Sequence, residues 1–257
     1  MKQNESMSKL LIIGASVLQL PAIKKAKELG HYVSVVDYNP NAIGIPYADA
    51  FYNISTIDQD AICNLAKSIK PDGIMTLATD LPMRSVAAAT TLLKLPGISY
   101  ETAVKATDKG EMIRAFQEHQ VEAPWFYIID KDDELRYLST RISFPCIVKP
   151  TDNSGSRGVM RIDHVADFSD ACSYSLAHSR SGQIIVEEFM VGREVSVEII
   201  VYRGNAQVVA ITDKITTGAP YFVELGHTQP SVIEAESQLR IKDLALRAVH
   251  SIGIENG

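Results

Sequence analysis

Residues 144–163 read FPCIVKPTDNSGSRGVMRID, and this stretch constrains the fold more than any other. A short apolar run, Cys146-Ile147-Val148, ends on Lys149-Pro150, and a loop of small polar residues follows over 151–158. The next run, Val159-Met160-Arg161-Ile162, is again β-prone. Two such runs around a Gly- and Ser-containing segment read as a hairpin with a long loop. Gly155 and Gly158 can take backbone angles closed to other residues. Ser154, Ser156 and the loop amides can donate hydrogen bonds to an anion, and Lys149, fixed at a strand end, adds a point charge. These are the parts of a phosphate cradle, built between two strands rather than at a helix start. The same residues would also make a plain surface loop beside an ordinary exposed lysine, and the loop by itself does not choose between the two.

The sequence before this stretch alternates strand and helix. Apolar residues 9–13 end at Gly14; a helical stripe, Leu20, Ile23, Ala26 and Leu29, follows and stops at Gly30; residues 32–36 are apolar again and close on Asp37. That is a βαβ unit, for which a right-handed parallel crossover is the default. Strands at 50–54 and 72–76 and helices at 58–70 and 82–93 continue the pattern, with Pro82 suited to a first helical turn. The loop GASVLQL holds only Gly14 where a dinucleotide fingerprint wants three glycines. Asp37 is equally suited to a ribose contact and to capping the turn into Tyr38-Asn39-Pro40. The turn at Leu95-Pro96-Gly97-Ile98 reads as a domain boundary.

The chain has 257 residues, enough for two modest domains with cores of their own. Its net charge of −6, without a long basic run, speaks against nucleic acid or an anionic membrane surface as partner. The three cysteines, Cys63, Cys146 and Cys172, fit neither a disulfide framework nor a metal-ligand spacing. With no apolar run of membrane-spanning length and a polar start, MKQNESMSK, the default compartment is the cytoplasm.

Beyond Pro96 the chain reads as a helix broken at Thr107-Asp108-Lys109-Gly110, a strand over 123–129 and a helix over 132–139. The cradle hairpin follows, then a helix over 165–179 and a strand over 183–189. The order βαββαβ over 123–189 makes a small lobe able to close over a ligand. Residues 195–202 and 206–212 pair through the turn Arg203-Gly204-Asn205, and 213–220 reads as a loop. A long helix over 231–252 is expected to start on a capping box of Ser231 and Glu234. No Ser-His-Asp or Cys-His grouping points to a covalent nucleophile.

Four segments now stand in order: Lys149-Pro150; Ser154-Gly155-Ser156-Arg157-Gly158-Val159; Ile185-Val186-Glu187-Glu188-Phe189; and Gly192-Arg193-Glu194. No one of them is specific, but the ordered set resembles the nucleotide-binding half of the ATP-grasp superfamily. The resemblance is to its carboxylate–amine ligase branch, which includes carbamoyl-phosphate synthase-like, phosphoribosylglycinamide synthetase-like and L-amino-acid ligase-like proteins. It covers residues 10–257. Asp108, Lys109, Met112 and Arg114 resemble a family helix whose lysine reaches a nucleotide phosphate.

The resemblance implies an α/β chain. A Rossmann-like pre-ATP-grasp domain over 1–98 would precede a partial ATP-grasp α+β domain over 99–257, with its lid lobe at about 123–189. It implies that Lys109, Lys149, Ser154, Gly155, Ser156 and Gly158 hold the phosphates of ATP. Glu187, with Glu188 as the alternative, Phe189 and Met190 would meet the adenine edge at a hinge, and Glu194 the ribose. Lys214 would meet phosphate, and Glu224 the amine substrate or a metal. His227 reads as an ordinary loop histidine. Mg²⁺ is implied as well, with its main ligands expected beyond Gly257 and none assigned within the chain, so the 257 residues alone are expected to be inactive. The expected function is ATP-dependent joining of a small carboxylate and an amine through an acyl phosphate. The alternative is a non-catalytic nucleotide-binding fragment or degenerate homologue, and a dinucleotide oxidoreductase stands behind both. Small-molecule partners are implied, no nucleic acid and no membrane, and a homodimer is allowed.

Overall fold

The structure is a computed structural model that describes residues 7–130, 135–153, 155–219 and 222–257. The chain forms two compact units, Met1–Thr107 with Glu255–Gly257, and Asp108–Ile254.

The first unit has the order β1 (Lys9–Ile13), α1 (Leu20–Glu28), β2 (Tyr32–Asp37), β3 (Ala50–Asn53), α2 (Gln59–Ile69), β4 (Gly73–Met75), α3 (Met83–Leu93) and α4 (Tyr100–Thr107). Its four strands are parallel in the order β3-β2-β1-β4. Helices cover both faces, so the central strands are apolar in consecutive positions rather than in alternation. Leu11, Ile13 and Val36 pack on Ile62, Leu65 and Ala66 of α2 and on Val86 and Ala89 of α3. Ile12, Val33 and Val35 pack on Ile23 and Ala26 of α1. Asp58 caps α2 by accepting from the Ala61 amide at 3.0 Å.

The loop from β1 to α1 is closed by side chains. The Ala15 amide donates to Asp37 Oδ2 at 2.8 Å and the Ser16 amide to Gln19 Oε1 at 3.2 Å. Gln19 is 2% exposed, and its Nε2 donates to the Leu77 carbonyl at 2.5 Å. A side chain at Gly14, where φ is +103°, would meet Gln19 at 2.9 Å. These amides are therefore occupied within the loop, whereas a dinucleotide site offers them to a pyrophosphate. Asp37 also accepts from the Asn39 amide at 2.9 Å, so it holds two turns together. The oxidoreductase reading loses its site here.

The second unit contains α5 (Lys109–Glu118), β5 (Phe126–Asp130), α6 (Leu135–Ser139), β6 (Cys146–Pro150), β7 (Met160–Ile162), α7 (Phe168–Ala177), β8 (Gln183–Glu188), β9 (Val195–Tyr202), β10 (Asn205–Thr216), β11 (Glu224–Thr228) and α8 (Ala235–Ser251). One antiparallel sheet has the order β5-β8-β6-β7 and a second has the order β11-β10-β9. In the first sheet one face is core: Cys146, Val148, Ile162, Ile184 and Val186 pack on Phe168, Ala171 and Cys172 of α7. Burying a side chain such as Phe168, 2% exposed, contributes roughly 2–3 kcal/mol.

Two local expectations are corrected. Residues 213–216 are not loop: β10 runs on to Thr216 and pairs with β11. Both faces of β11 are largely exposed, so its sequence carries no burial pattern to betray a strand. The capping box at Ser231 also does not form. Helix α8 begins at Ala235 with Glu234 as N-cap and no side-chain cap bond. Ser231 instead donates to Asp213 Oδ1 at 2.6 Å, and Asp213 Oδ2 accepts from the Val232 amide at 3.0 Å, tying the segment to β10.

Candidate functional site

Strand register builds the site. Phe126, Glu187, Ile147 and Arg161 lie directly opposite one another across β5, β8, β6 and β7. Directly opposed residues share a face, and this is the face turned away from the lid core. Lys149 lies two residues along β6 from Ile147, hence on the same face. Its ammonium is bonded to the Glu187 carboxylate, with only 21% and 16% of the two side chains exposed. Glu188 pairs with Cys146 and so points to the opposite face. Of the two adjacent glutamates, the register brings Glu187 to the lysine.

Helix α5 delivers a second cation. Asp108 caps it by accepting from the Gly110 and Glu111 amides at 2.9 and 3.1 Å. The Lys109 amide donates to the Thr151 carbonyl at 2.9 Å, and its Nζ to the Asn153 carbonyl at 2.5 Å. Gly110 allows the close approach: a Cβ there would sit 3.1 Å from both Asp108 Oδ1 and Ile128 Cδ1. Burial holds the Lys109 ammonium below its ordinary pKa, and repulsion from Lys149 adds to the effect, against the pull of Asp108, Glu187 and Asp152. Two ammonium groups that repel one another, one of them desolvated, are suited to an anion.

The loop between β6 and β7 is anchored at its base and open at its tip. Asp152 accepts from the Arg180 and Ser181 amides at 3.0 and 2.6 Å. Ser175 Oγ donates to the Gly158 carbonyl at 2.7 Å. Gly158 has φ +79°, and a Cβ there would strike His178 Cβ at 2.7 Å and Pro150 Cγ at 2.8 Å. Gly155 has φ +67° and nothing within 4 Å. Ser154 lies outside the described residues. Ser156 donates from Oγ to the Phe222 carbonyl at 3.1 Å.

The segment expected to act as a hinge follows β8. The Phe189 ring lies 6.3 Å from the Phe222 ring, and Met190 is 67% exposed. Glu194, just before β9, accepts from Lys214 Nζ at 2.6 Å. Lys214 also lies 3.7 Å from Glu224, and Glu224 lies 2.6 Å from His227 Nε2. Lys214 and His227 are opposed in the β10–β11 register. The hydrogen bond that Lys214 donates to Glu194, followed by attraction to the two glutamates, raises the Lys214 pKa. Glu194, Lys214, Glu224 and His227 thus form one charged row. The histidine was missed in the sequence because β11 was; counting back from Thr228 along a hairpin would have set it against Lys214.

Among the described residues no group of three or more His, Cys, Asp and Glu could hold a metal ion. Burial pushes the thiols of Cys146 and Cys172 up to about 11 and about 12, so neither is a thiolate nucleophile at neutral pH. No helix among the described residues is long and apolar enough to cross a membrane.

Residues 142–257 match the ATP-grasp domain family. The chain is 26% identical over 268 aligned residues to a formate-dependent phosphoribosylglycinamide formyltransferase of Sulfurisphaera tokodaii, covering 97% of this chain and 64% of that protein. Among solved structures it resembles phosphoribosylglycinamide synthetase from Anaerococcus prevotii, at 25% identity and TM-score 0.76, over 96% of this chain and 62% of that one. The L-amino acid ligase from Bacillus licheniformis shares the fold at TM-score 0.79 and 24% identity, over 97% of this chain and 61% of that one. The match assigns residues 142–257 to an ATP-grasp domain, and the chain spans less than two-thirds of the length of these three relatives.

Proposed function

We propose that this chain is the ATP-binding portion of an ATP-dependent carboxylate–amine ligase. In that reaction the terminal phosphoryl group of ATP passes to a substrate carboxylate, and an amine then displaces phosphate from the acyl phosphate to form an amide-type bond. The observation that carries the reading is the convergence of Lys109, Lys149 and Glu187 beside the glycine loop, on the face of the sheet turned away from α7. A relative supports it: the S. tokodaii protein is a formate-dependent formyltransferase, and formate is a small carboxylate.

The donor set suits a nucleotide. Lys109 and Lys149 would neutralise phosphate charge, and the amides of 155–158 would cradle it. The backbone of Glu188–Met190 would meet the base edge, with Glu187 beside it. Lys214 would serve the transferred phosphate and Glu194 the ribose. Glu224, with His227 against it, is a carboxylate–imidazole pair suited to accept a proton from an attacking amine. Mg²⁺ would balance phosphate charge. The described residues show no cluster that fits it, and no step here is assigned to the ion.

The test is release of ADP from ATP and Mg²⁺ by the protein across a panel of carboxylates and amines. Release that requires one carboxylate and one amine supports the reading. Release indifferent to both contradicts it.

A further inference from the structure

Arg161 has no assigned role, and its surroundings give it one. It stands on the ligand-facing side of the lid sheet, opposite Ile147 and in the same cross-strand row as Glu187. Its guanidinium is held from the side by Asp163: Nε and Nη2 donate to Oδ1 at 3.1 and 2.7 Å. Its Cζ lies over the Phe189 ring, 4.3 Å from the centroid. Phe189 in turn contacts Phe222, whose carbonyl accepts from Ser156 of the glycine loop. The Phe189 ring therefore meets both the Arg161 cation and an aromatic of the β10–β11 connection, the latter at a tilt of 54°.

The contacts of Arg161 are with Asp163 and with the Phe189 ring, not with the glycine loop. The group that Arg161 fixes is Phe189, which lies between the peptide groups of Glu188 and Met190. Clamping the ring fixes the planes of those peptides, and so pre-organises the backbone edge that would read a purine base. Without the clamp the hinge must be ordered at the moment of binding, and that ordering weakens affinity.

Resting on the nucleotide reading above, we propose that Arg161 is a positioning residue that sets affinity for the purine base through Phe189 and leaves affinity for the phosphates unchanged. The test compares binding of ATP and of inorganic tripolyphosphate by calorimetry, in the parent chain, in Arg161→Met and in Asp163→Asn. Arg161→Met keeps the side-chain stem and removes the planar cation. Asp163→Asn frees the guanidinium without deleting the stack. The expected result is ATP binding weaker by about three- to tenfold in Arg161→Met, the range of a partly desolvated cation–π contact. A smaller loss is expected in Asp163→Asn, with tripolyphosphate bound equally by all three. Equal losses for ATP and tripolyphosphate would make Arg161 a phosphate-end charge and overturn the proposal. ATP binding unchanged in Arg161→Met overturns it while leaving the nucleotide site intact. No ATP binding by the parent chain overturns the nucleotide reading and this proposal together.

Discussion

Lys149 and Glu187 are bonded to one another on the face of the β5-β8-β6-β7 sheet turned away from α7, with most of both side chains withdrawn from water. A carboxylate thus stands where a phosphate oxygen would compete for the same ammonium. Removing Glu187 leaves Lys149 beside Lys109 with less compensation. Glu187→Ala is expected to destabilise the free protein by about 1–3 kcal/mol, the cost of leaving a charged hydrogen-bond partner unmade. Saturating ATP should restore part of the loss. Urea unfolding with and without ATP measures both; a loss that ATP does not reduce contradicts the shared-site geometry.

Lys109 makes ATP binding depend on alkaline pH. Its folded-state pKa lies below the ordinary 10.5 because burial and Lys149 disfavour the charged form. Between the two values the unfolded chain holds more protons than the folded one, so stability of the free protein rises with pH there. A polyphosphate favours the charged form and raises the pKa again. Binding should therefore take up a proton in that window, and affinity should fall as pH rises through the lowered value. Calorimetry over the alkaline range below pH 10.5, in buffers of different ionisation enthalpy, reads the uptake. Lys109→Gln should abolish it; uptake that persists in that variant contradicts the assignment.

The two loop glycines should differ. Gly155→Ala meets only the strain of positive φ, about 1–2 kcal/mol. Gly158→Ala adds a collision with His178 and Pro150, and should cost about 2–4 kcal/mol. Denaturant midpoints decide it; equal losses would contradict the packing described for Gly158.

Ser231 and Asp213 provide a fourth test. Hydrogen bonds from Ser231 and then from the Val232 amide hold the Asp213 carboxyl below its ordinary range. The stability it adds is present above the unfolded-state pKa and is lost as pH falls through the lowered value. Ser231→Ala should flatten the acid limb of the stability–pH curve, and Glu234→Ala should leave it unchanged. An acid limb unchanged by Ser231→Ala contradicts the tie to β10.

The fold was legible wherever burial is periodic. The strands of the first unit show consecutive apolar runs because helices cover both faces, and α5 announces itself through Asp108 as a cap. The positive φ of Gly155 and Gly158 was legible because it is a local property; Lys149 was singled out by its place at a strand end, and Lys109 only by the resemblance. Strand β11 was not, since neither of its faces is buried, and with it went the pairing of Lys214 with His227. Ser231 looked like a cap because its sequence neighbourhood matches one, yet the nearby carboxylate of Asp213 takes its hydroxyl. Arg161 over Phe189 joins residues from different elements, and no local pattern announces such a contact.

The central claim is that Lys149 and the loop beside it hold the phosphates of ATP. Isothermal calorimetry of ATP with the 257-residue chain and with Lys149→Ala tests it most directly. The expected result is saturable binding by the parent chain, weakened by about 1.5–3 kcal/mol in the variant, the range of charge-assisted contacts. Unchanged affinity in a Lys149→Ala protein that keeps its folded circular-dichroism spectrum would contradict the account.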